Sequence, residues 1–383
     1  MKIAVVGSGP GAMYTLKYFL KRQQSRTFRV DIFESLSTPY GLVRFGVAPD
    51  HSEVKEVSNE FHTMLREHKD ILRLHTNHDV IGSSDFNTLR ESYDAVLIAT
   101  GAQSAKRLKL PHLPANTMAA RDFVLWYNGH PDFKDQDPPL DSTNVCIVGH
   151  GNVALDAARM LSKTPSELDP LASSGLLAPY AYEWLIARQN LPRQRTVEVI
   201  GRRGFIEAAF TNKEFRELTC MKDAVCVVNE RELEAPLSQL GAMVTGDRAK
   251  TRGLSILSKC ISTSSSSEAA NIIKLRFHCQ PLAYEGSPAT GLRVRHQDGS
   301  EEVLACELGI ESIGFQVVEK WGLALDEKTG GIAHDGLGRV KGFPNVYVAG
   351  WAKRGPKGVI AANIPCCAQT AEAMVSDLVA SRY

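Results

Sequence analysis

No two of the eight cysteines stand at Cys-x-x-Cys or Cys-x4-Cys spacing. Cys146, Cys220, Cys226, Cys260, Cys279, Cys306, Cys366 and Cys367 are scattered instead. That argues against a redox dithiol, an iron–sulfur cluster and a zinc site, so no metal centre is expected. The adjacent Cys366 and Cys367 read as small buried hydrophobes near a helix start. No apolar run approaches the roughly 18 residues of a membrane span, so no integral membrane segment is expected. Neither sign of charge dominates. The 44 basic residues meet 43 acidic ones, a formal net charge of +1, and no global field argues for nucleic acid or a membrane surface. A leader segment is not visible either, because the first strand reads from Lys2. The expectation is a protein that stays where it is made, or one whose presequence lies outside this chain.

What the sequence has is two glycine-rich turns, in 383 residues of which 43% are hydrophobic and 23% charged. Such a length and composition suit a globular protein of two domains. Residues 3–12 read IAVVGSGPGA and residues 145–154 read VCIVGHGNVA. Each is a short β-branched apolar run, then Gly-x-Gly-x-x-Ala, then a helix-like stretch. In the first, Gly7 permits the tight turn, Gly9 lets the backbone approach a pyrophosphate, and Ala12 lets helix pack on strand. Gly149, Gly151 and Ala154 repeat the arrangement, and each helix start faces the phosphates. Two such turns predict two dinucleotides, and a chain holding two usually passes electrons between them.

The second strand, RVDIFE, ends on Glu34, whose carboxylate suits the ribose hydroxyls of an adenosine. Residues 95–101, AVLIATG, read as a further apolar strand. After the second turn comes the strand VEVIG at 197–201, then Arg202 and Arg203. An acid there would repel a 2′-phosphate, whereas two guanidiniums attract it, so the second nucleotide is expected to be NADP rather than NAD. Residues 236–270 are polar, with TSSSS at 263–267, and read as a surface excursion or mobile loop. The loop PYGLVRFGVAPDH at 39–51 is apolar enough to be buried, against a flavin face or against plain core. His51, alone, reads as a structural histidine. Residues 350–360, GWAKRGPKGVI, lead into a helix near Ala361. They form either a simple junction or a ring of amides facing an anionic flavin.

Together these segments carry a resemblance. PYGLVRFGVAPDH, WYNG at 126–129, GHGNVALDAAR at 149–159, GRRGFIEAAFTNKEFREL at 201–218 and GWAKRGPKGVI resemble the NADPH:adrenodoxin oxidoreductase family, the adrenodoxin-reductase-like class of ferredoxin–NADP reductases. The likeness runs from Lys2 nearly to the C-terminus and is weakest at 236–290. It implies an α/β, two-dinucleotide-binding (glutathione-reductase-type) flavoprotein. Residues 1–105 and 306–383 would form the FAD domain, with an NADP domain, 106–305, inserted. The FAD site would draw on Gly7, Gly9, Gly11, Ala12, Glu34, Leu42, Trp351, Gly358, Val359 and Ile360, and on Val80, expected on the strand before AVLIATG. The NADP(H) site would draw on His150, Gly151, Asn152, Val153, Arg202, Arg203, Glu214 and again Gly358. His51 and Glu214 match family residues near the flavin and nicotinamide, and are expected to orient and handle protons.

The activity implied is that of an FAD-dependent NADPH:adrenodoxin oxidoreductase or ferredoxin–NADP(+) reductase. A hydride passes from NADPH to FAD, and single electrons pass to a 2Fe-2S, adrenodoxin-like ferredoxin that docks transiently and electrostatically. The resemblance further implies a monomer in the mitochondrial matrix, with the cytosol as the alternative. Residues 247–252 read DRAKTR, which sets Arg248 and Arg252 four apart with Lys250 between them. In a helix the two arginines share a face, and the resemblance makes this segment the dock for an acidic ferredoxin. There are departures: GSGPGA stands where the family has GSGPAG, and Lys357 replaces a threonine beside Gly358. Two other readings share the two-nucleotide fold. A disulfide reductase needs paired cysteines that the spacings do not supply, and an electron-bifurcating or nucleotide-sensing subunit usually carries cysteine-rich cluster segments, which are absent.

Overall fold

Short runs such as IAVV, AVLI and VCIV are apolar on both strand faces, and such strands persist only where helices cover both sides of a parallel sheet. In the computed structural model, which describes residues 1–383 except 23–27, 84–85, 140, 192, 263–268 and 381–383, the chain divides into two units. Residues 1–47, 51–104 and 314–383 form the first, and residues 48–50 and 105–313 the second.

The first unit is built on strands β1 (Lys2–Val6), β2 (Arg29–Phe33), β3 (Leu72–His75), β4 (Ala95–Ile98) and β14 (Val346–Val348). They pair in parallel, in the order β14-β4-β1-β2-β3. Helices α1 (Pro10–Arg22) and α6 (Ile364–Ala380) pack on one another. In the first turn of α1, Gly11 touches Gly350, which precedes the helical turn Trp351–Arg354. A β-carbon on Gly11 would lie 3.1 Å from the Gly350 α-carbon, and one on Gly350, whose φ is 67°, 2.9 Å from that of Gly11. The final helix begins three residues later than expected, after a 3-10 turn over Ile360–Asn363. Cys366 and Cys367 are buried in its first turns.

The second unit holds a six-stranded sheet of β5 (Thr117–Ala119), β6 (Asn144–Val148), β7 (Arg195–Ile200), β8 (Ala224–Val228), β9 (Asn271–Arg276) and β13 (Leu308–Glu311). All pair in parallel, in the order β5-β13-β6-β7-β9-β8. A three-stranded antiparallel sheet, β10 (Gln280–Glu285), β11 (Gly291–Arg295) and β12 (Glu301–Ala305), accompanies it. Helix α2 (Asn152–Ser162) follows the second glycine turn, and α3 (Asn212–Thr219) follows the arginine pair.

Four expectations need correction. Residues 306–313 belong with the second unit, because β13 is hydrogen-bonded between β5 and β6. Residues 48–50 go with it too, since Arg159 and Lys163 pair with Asp50. Residues 236–262 are not an irregular excursion. They form α4 (Leu237–Met243) and α5 (Arg248–Ser262), while TSSSS, residues 263–267, lies outside the described residues. Polar content hid the period: Leu254, Leu257 and Cys260 recur every third residue and are buried. The Asp247 carboxylate starts α5 by accepting from the amides of Ala249 and Lys250, both at 3.0 Å. Val80, finally, is not on a strand. It opens a helical turn, Val80–Ser83, after β3, where Asp79 accepts from the Gly82 amide at 3.0 Å.

Candidate functional site

In the first unit the glycine turn leaves no choice of residue. Gly7 has φ 96°, and a β-carbon there would lie 2.7 Å from the Ala99 carbonyl oxygen. The side of Gly9 is different, because a β-carbon there would meet nothing within 4 Å. One position is closed and the other open, as an approaching diphosphate requires. Ala12 is fully buried under the turn. Glu34, 7% exposed, accepts from the Ser8 hydroxyl at 2.5 Å, the Ser8 amide at 3.2 Å and the Leu36 amide at 3.1 Å. Its carboxylate therefore braces the turn as well as standing where ribose hydroxyls are expected. The Ser8 hydroxyl in turn accepts from the Tyr40 amide at 3.2 Å. This brings PYGLV across the turn: a β-carbon on Gly41 would lie 3.6 Å from the Gly9 α-carbon, and Leu42 starts the next helical turn, Leu42–Phe45. Tyr40, Val43 and Phe45 are buried, so the apolar loop is an inner one.

The same unit carries the GWAKRGPKGVI segment. Trp351 opens a helical turn, its ring 5.4 Å from that of Phe315, and its Nε1 is buried without a partner. The Asn363 side-chain oxygen is likewise buried without a partner. Gly358 has φ 80°, Ile360 begins the 3-10 turn, and Val359 exposes 54% of its surface. A buried donor and a buried acceptor without partners are costly unless a bound group meets them. His51 is buried and precedes the helical turn Ser52–Lys55.

In the second unit, Gly149 has φ 136°, and a β-carbon there would lie 2.1 Å from the Ser312 carbonyl oxygen, whereas one on Gly151 would meet nothing within 4 Å. The closed and open positions of the first turn are repeated. His150 lies between them. Its Nε2 donates to the Val199 carbonyl at 2.9 Å, and Nδ1 is buried without a partner. Gly201 leaves room for the ring, since a β-carbon there would stand 2.3 Å from Nδ1. Burial drives the His150 pKa from 6.5 down to about 4, so the imidazole is neutral.

Asn152 begins α2, and its side-chain oxygen accepts from the Thr211 amide at 2.8 Å, which ties the second glycine turn to the start of α3. Val153 packs on the core. Arg202 and Arg203 follow β7 and are exposed, with the Arg203 carbonyl accepting from the His278 amide at 3.2 Å. Glu214, in the first turn of α3, accepts from the Thr211 hydroxyl. Arg248, Lys250 and Arg252 lie exposed in the first turns of α5. Gly253, the next residue, lets that helix approach Asn212 at 3.0 Å from its notional β-carbon.

The structure thus gathers Gly7, Gly9, Gly11, Ala12, Glu34 and Leu42 in one unit, and His150, Gly151, Asn152, Val153, Arg202, Arg203 and Glu214 in the other. Sequence reasoning missed Ser8, Tyr40, Gly350 and Asn363. Ser8 lies within the first glycine turn, and Tyr40 and Gly350 within segments already read as candidate flavin faces, whereas Asn363 left no signal.

Residues 1–169 match the family model described as pyridine nucleotide-disulphide oxidoreductase. The chain is 35% identical over 396 residues to NADPH-ferredoxin reductase FprA of Mycobacterium tuberculosis, spanning 98% of this chain and 84% of that protein. It is 34% identical over 412 residues to the mitochondrial NADPH:adrenodoxin oxidoreductase of Homo sapiens, spanning 98% and 79%. The solved structure of Mycobacterium tuberculosis FprA in complex with NADPH superposes with a TM-score of 0.89 at 33% identity, covering all of this chain and 85% of that one. Thioredoxin reductase of T. acidophilum, at a TM-score of 0.54 and 14% identity, shares the fold alone.

A neutral, buried His150 makes stability depend on pH. Its folded pKa lies below the unfolded one, so its contribution is complete above about pH 6.5 and is lost as pH falls towards about 4. The loss should approach about 3 kcal/mol. Urea unfolding at a series of pH values should show that slope in the wild type and a shallower one in His150→Gln. Equal slopes would contradict a buried neutral imidazole.

Proposed function

The chain belongs to the family of NADPH-ferredoxin and NADPH:adrenodoxin reductases, FAD-dependent oxidoreductases, and from that premise we propose that it oxidises NADPH at FAD and hands single electrons to a 2Fe-2S ferredoxin. One observation carries the reading. Two glycine turns of the same build end in opposite charge, Glu34 at one and Arg202 with Arg203 at the other. The acid suits a free ribose and the arginines a 2′-phosphate, which assigns FAD to the first turn and NADP(H) to the second.

The residues fit these groups. Gly9 and Gly151 leave the backbone open to a diphosphate, with the amides of α1 and α2 behind it. A carboxylate has about four acceptor positions, and Glu34 uses three for Ser8 and Leu36; the fourth, met by the Ser35 hydroxyl at 3.4 Å, is the one a ribose hydroxyl would take over. Trp351 Nε1 and the Asn363 oxygen are the buried groups left for the flavin, beside Leu42, Val80, Gly358, Val359 and Ile360. When bound, FAD supplies the exchange between a two-electron hydride donor and a one-electron acceptor. The chain's own work is to hold the two nucleotides in reacting geometry and exclude water. No side chain need act as a nucleophile. His51 and Glu214 orient the reacting groups and hold protons. A monomer suffices for this chemistry.

A disulfide reductase would need a dithiol open to the flavin. Among the described residues the thiol neighbours are Cys226 with Cys260, Cys146 with Cys306, and Cys366 with Cys367, and all six are buried. This disfavours that activity.

If Arg202 and Arg203 each contribute about 1.5–3 kcal/mol to the 2′-phosphate, NADPH should exceed NADH by roughly 10²–10⁴ in kcat/KM. Neutral residues at both positions should raise KM for NADPH and leave NADH nearly unchanged. Equal efficiency with the two cofactors in the wild type would refute the assignment.

Arg248 and Arg252, one helical turn apart, with Lys250 exposed beside them, are proposed to dock the acidic ferredoxin. Ferredoxin-dependent turnover should then fall with salt as the Debye length shrinks from about 10 Å at 0.1 M to about 3 Å at 1 M. Reduction of a small neutral acceptor should change little. Charge reversal at both arginines should raise KM for ferredoxin and spare the small acceptor. Normal ferredoxin reduction by that variant at low salt would remove this surface from the account.

A further inference from the structure

Ser8 stands between Gly7 and Gly9 in the first turn and is fully buried. Its hydroxyl is used twice. It donates to Glu34 Oε2 at 2.5 Å and accepts from the Tyr40 amide at 3.2 Å. The Ser8 amide donates to the same carboxylate oxygen at 3.2 Å. A hydroxyl that donates to a carboxylate is the stronger acceptor for its other partner, because hydrogen bonds in a chain polarise one another. One oxygen atom therefore joins the acid that suits a ribose to the PYGLV loop. All of these residues lie in the first unit.

Tyr40 needs that hold. Its φ is 84°, an outlier for so bulky a side chain, and Gly41 follows at φ 49°. The Tyr40 ring is buried 5.8 Å from that of Phe61. The Tyr40 carbonyl accepts from the Val43 amide at 3.1 Å, and the Gly41 carbonyl from the Phe45 amide at 3.0 Å. The strained pair thus starts the helical turn that carries Leu42. A β-carbon on Gly41 would lie 3.6 Å from the Gly9 α-carbon, which puts the pair beside the open glycine. Strained backbone persists only where its surroundings over-determine it, and it collects at ligand clamps. Closing the glycine turn alone needs no strained partner.

We propose that Ser8 is a positioning residue for FAD, coupling Glu34 at the ribose end to the Tyr40–Gly41 pair and the loop it starts. A ribose hydroxyl on Glu34 fixes the carboxylate on which Ser8 depends, and Ser8 in turn fixes the Tyr40 amide. The loop is then ordered from the ribose end of the nucleotide. By reciprocity, an ordered loop holds the ribose more tightly. This role rests on the assignment of FAD to the first turn, and it adds a residue that itself recognises no part of the nucleotide.

The test reads hydrogen exchange over residues 37–46 of the full chain, with the second turn filled by saturating NADP+. Exchange is compared without further nucleotide and with saturating ADP, which carries the adenosine ribose and no flavin. The rate of FAD release from the loaded chain and the melting temperature are read beside it. In the wild type, ADP should slow exchange at Tyr40 about tenfold. In Ser8→Ala, at ADP concentrations that saturate that protein too, the slowing should vanish. FAD should also leave about tenfold faster, because the Tyr40 amide is left buried without its partner. Ser8→Cys keeps the volume with a weaker hydrogen-bonding group and should fall between. Should Ser8→Ala fail to fold, Ser8→Cys runs the same comparison. Protection by ADP that survives unchanged in the variant would overturn the proposal. So would release of FAD at the wild-type rate with only a lower melting temperature, or a wild type whose loop exchanges no more slowly with ADP bound. A folded wild type that binds neither FAD nor ADP would overturn the functional reading itself, and this inference with it.

Discussion

At Gly7 and Gly149 a β-carbon would lie 2.7 and 2.1 Å from the carbonyl oxygens of Ala99 and Ser312, so each turn exists only because the side chain is a hydrogen. That contact sets how tightly the first strand of each unit folds back into its helix. It also sets where the helix start points. Two residues on, Gly9 and Gly151 face open space. The pairing of a closed glycine with an open one would make a phosphate cradle out of backbone alone, with the helix amides supplying partial positive charge. In the first unit the backbone beside the turn is equally intolerant, since Gly11 and Gly350 leave no room for a carbon between them.

On the proposed assignment, selectivity would lie outside the cradles, in what ends the adjoining strand. Beside the first cradle Glu34 is buried and bound to Ser8, so the residue that would recognise a ribose also holds the turn that would carry the diphosphate. Beside the second, Arg202 and Arg203 are exposed and make no such brace; there Gly201, His150 and the Val199 carbonyl shape the turn. Recognition and architecture are merged in one half and separated in the other. Substituting the arginines should therefore change nucleotide choice with little damage to the fold, whereas Glu34 cannot be changed without loosening its turn.

Much of this was legible in the residues. Unbroken β-branched runs identify buried parallel strands, and the glycine spacing locates the cradles within them. The charge after each second strand is what the proposed assignment of the two nucleotides rests on. What stayed hidden depended on contacts between distant parts of the chain. Residues from 306 onward read as the return to the FAD domain, but β13 is claimed by β5 and β6. The α5 helix was masked by its own exposed arginines, lysines and serines, and only the buried Leu254, Leu257 and Cys260 reveal its period. Val80 could not be placed from its neighbours, because the Asp79 side chain closes a helical turn there. No local signal connects Asp50 to Arg159, which meet only once the second unit has folded.

The central claim is that one chain holds two different nucleotides, each on its own glycine turn. Equilibrium binding to the purified full chain measures this directly, as moles of FAD and of NADP+ bound per mole of protein with both present. The account predicts one of each, bound together and without competition. NADP+ that displaces FAD, or a folded chain that fails to bind either nucleotide, would contradict it.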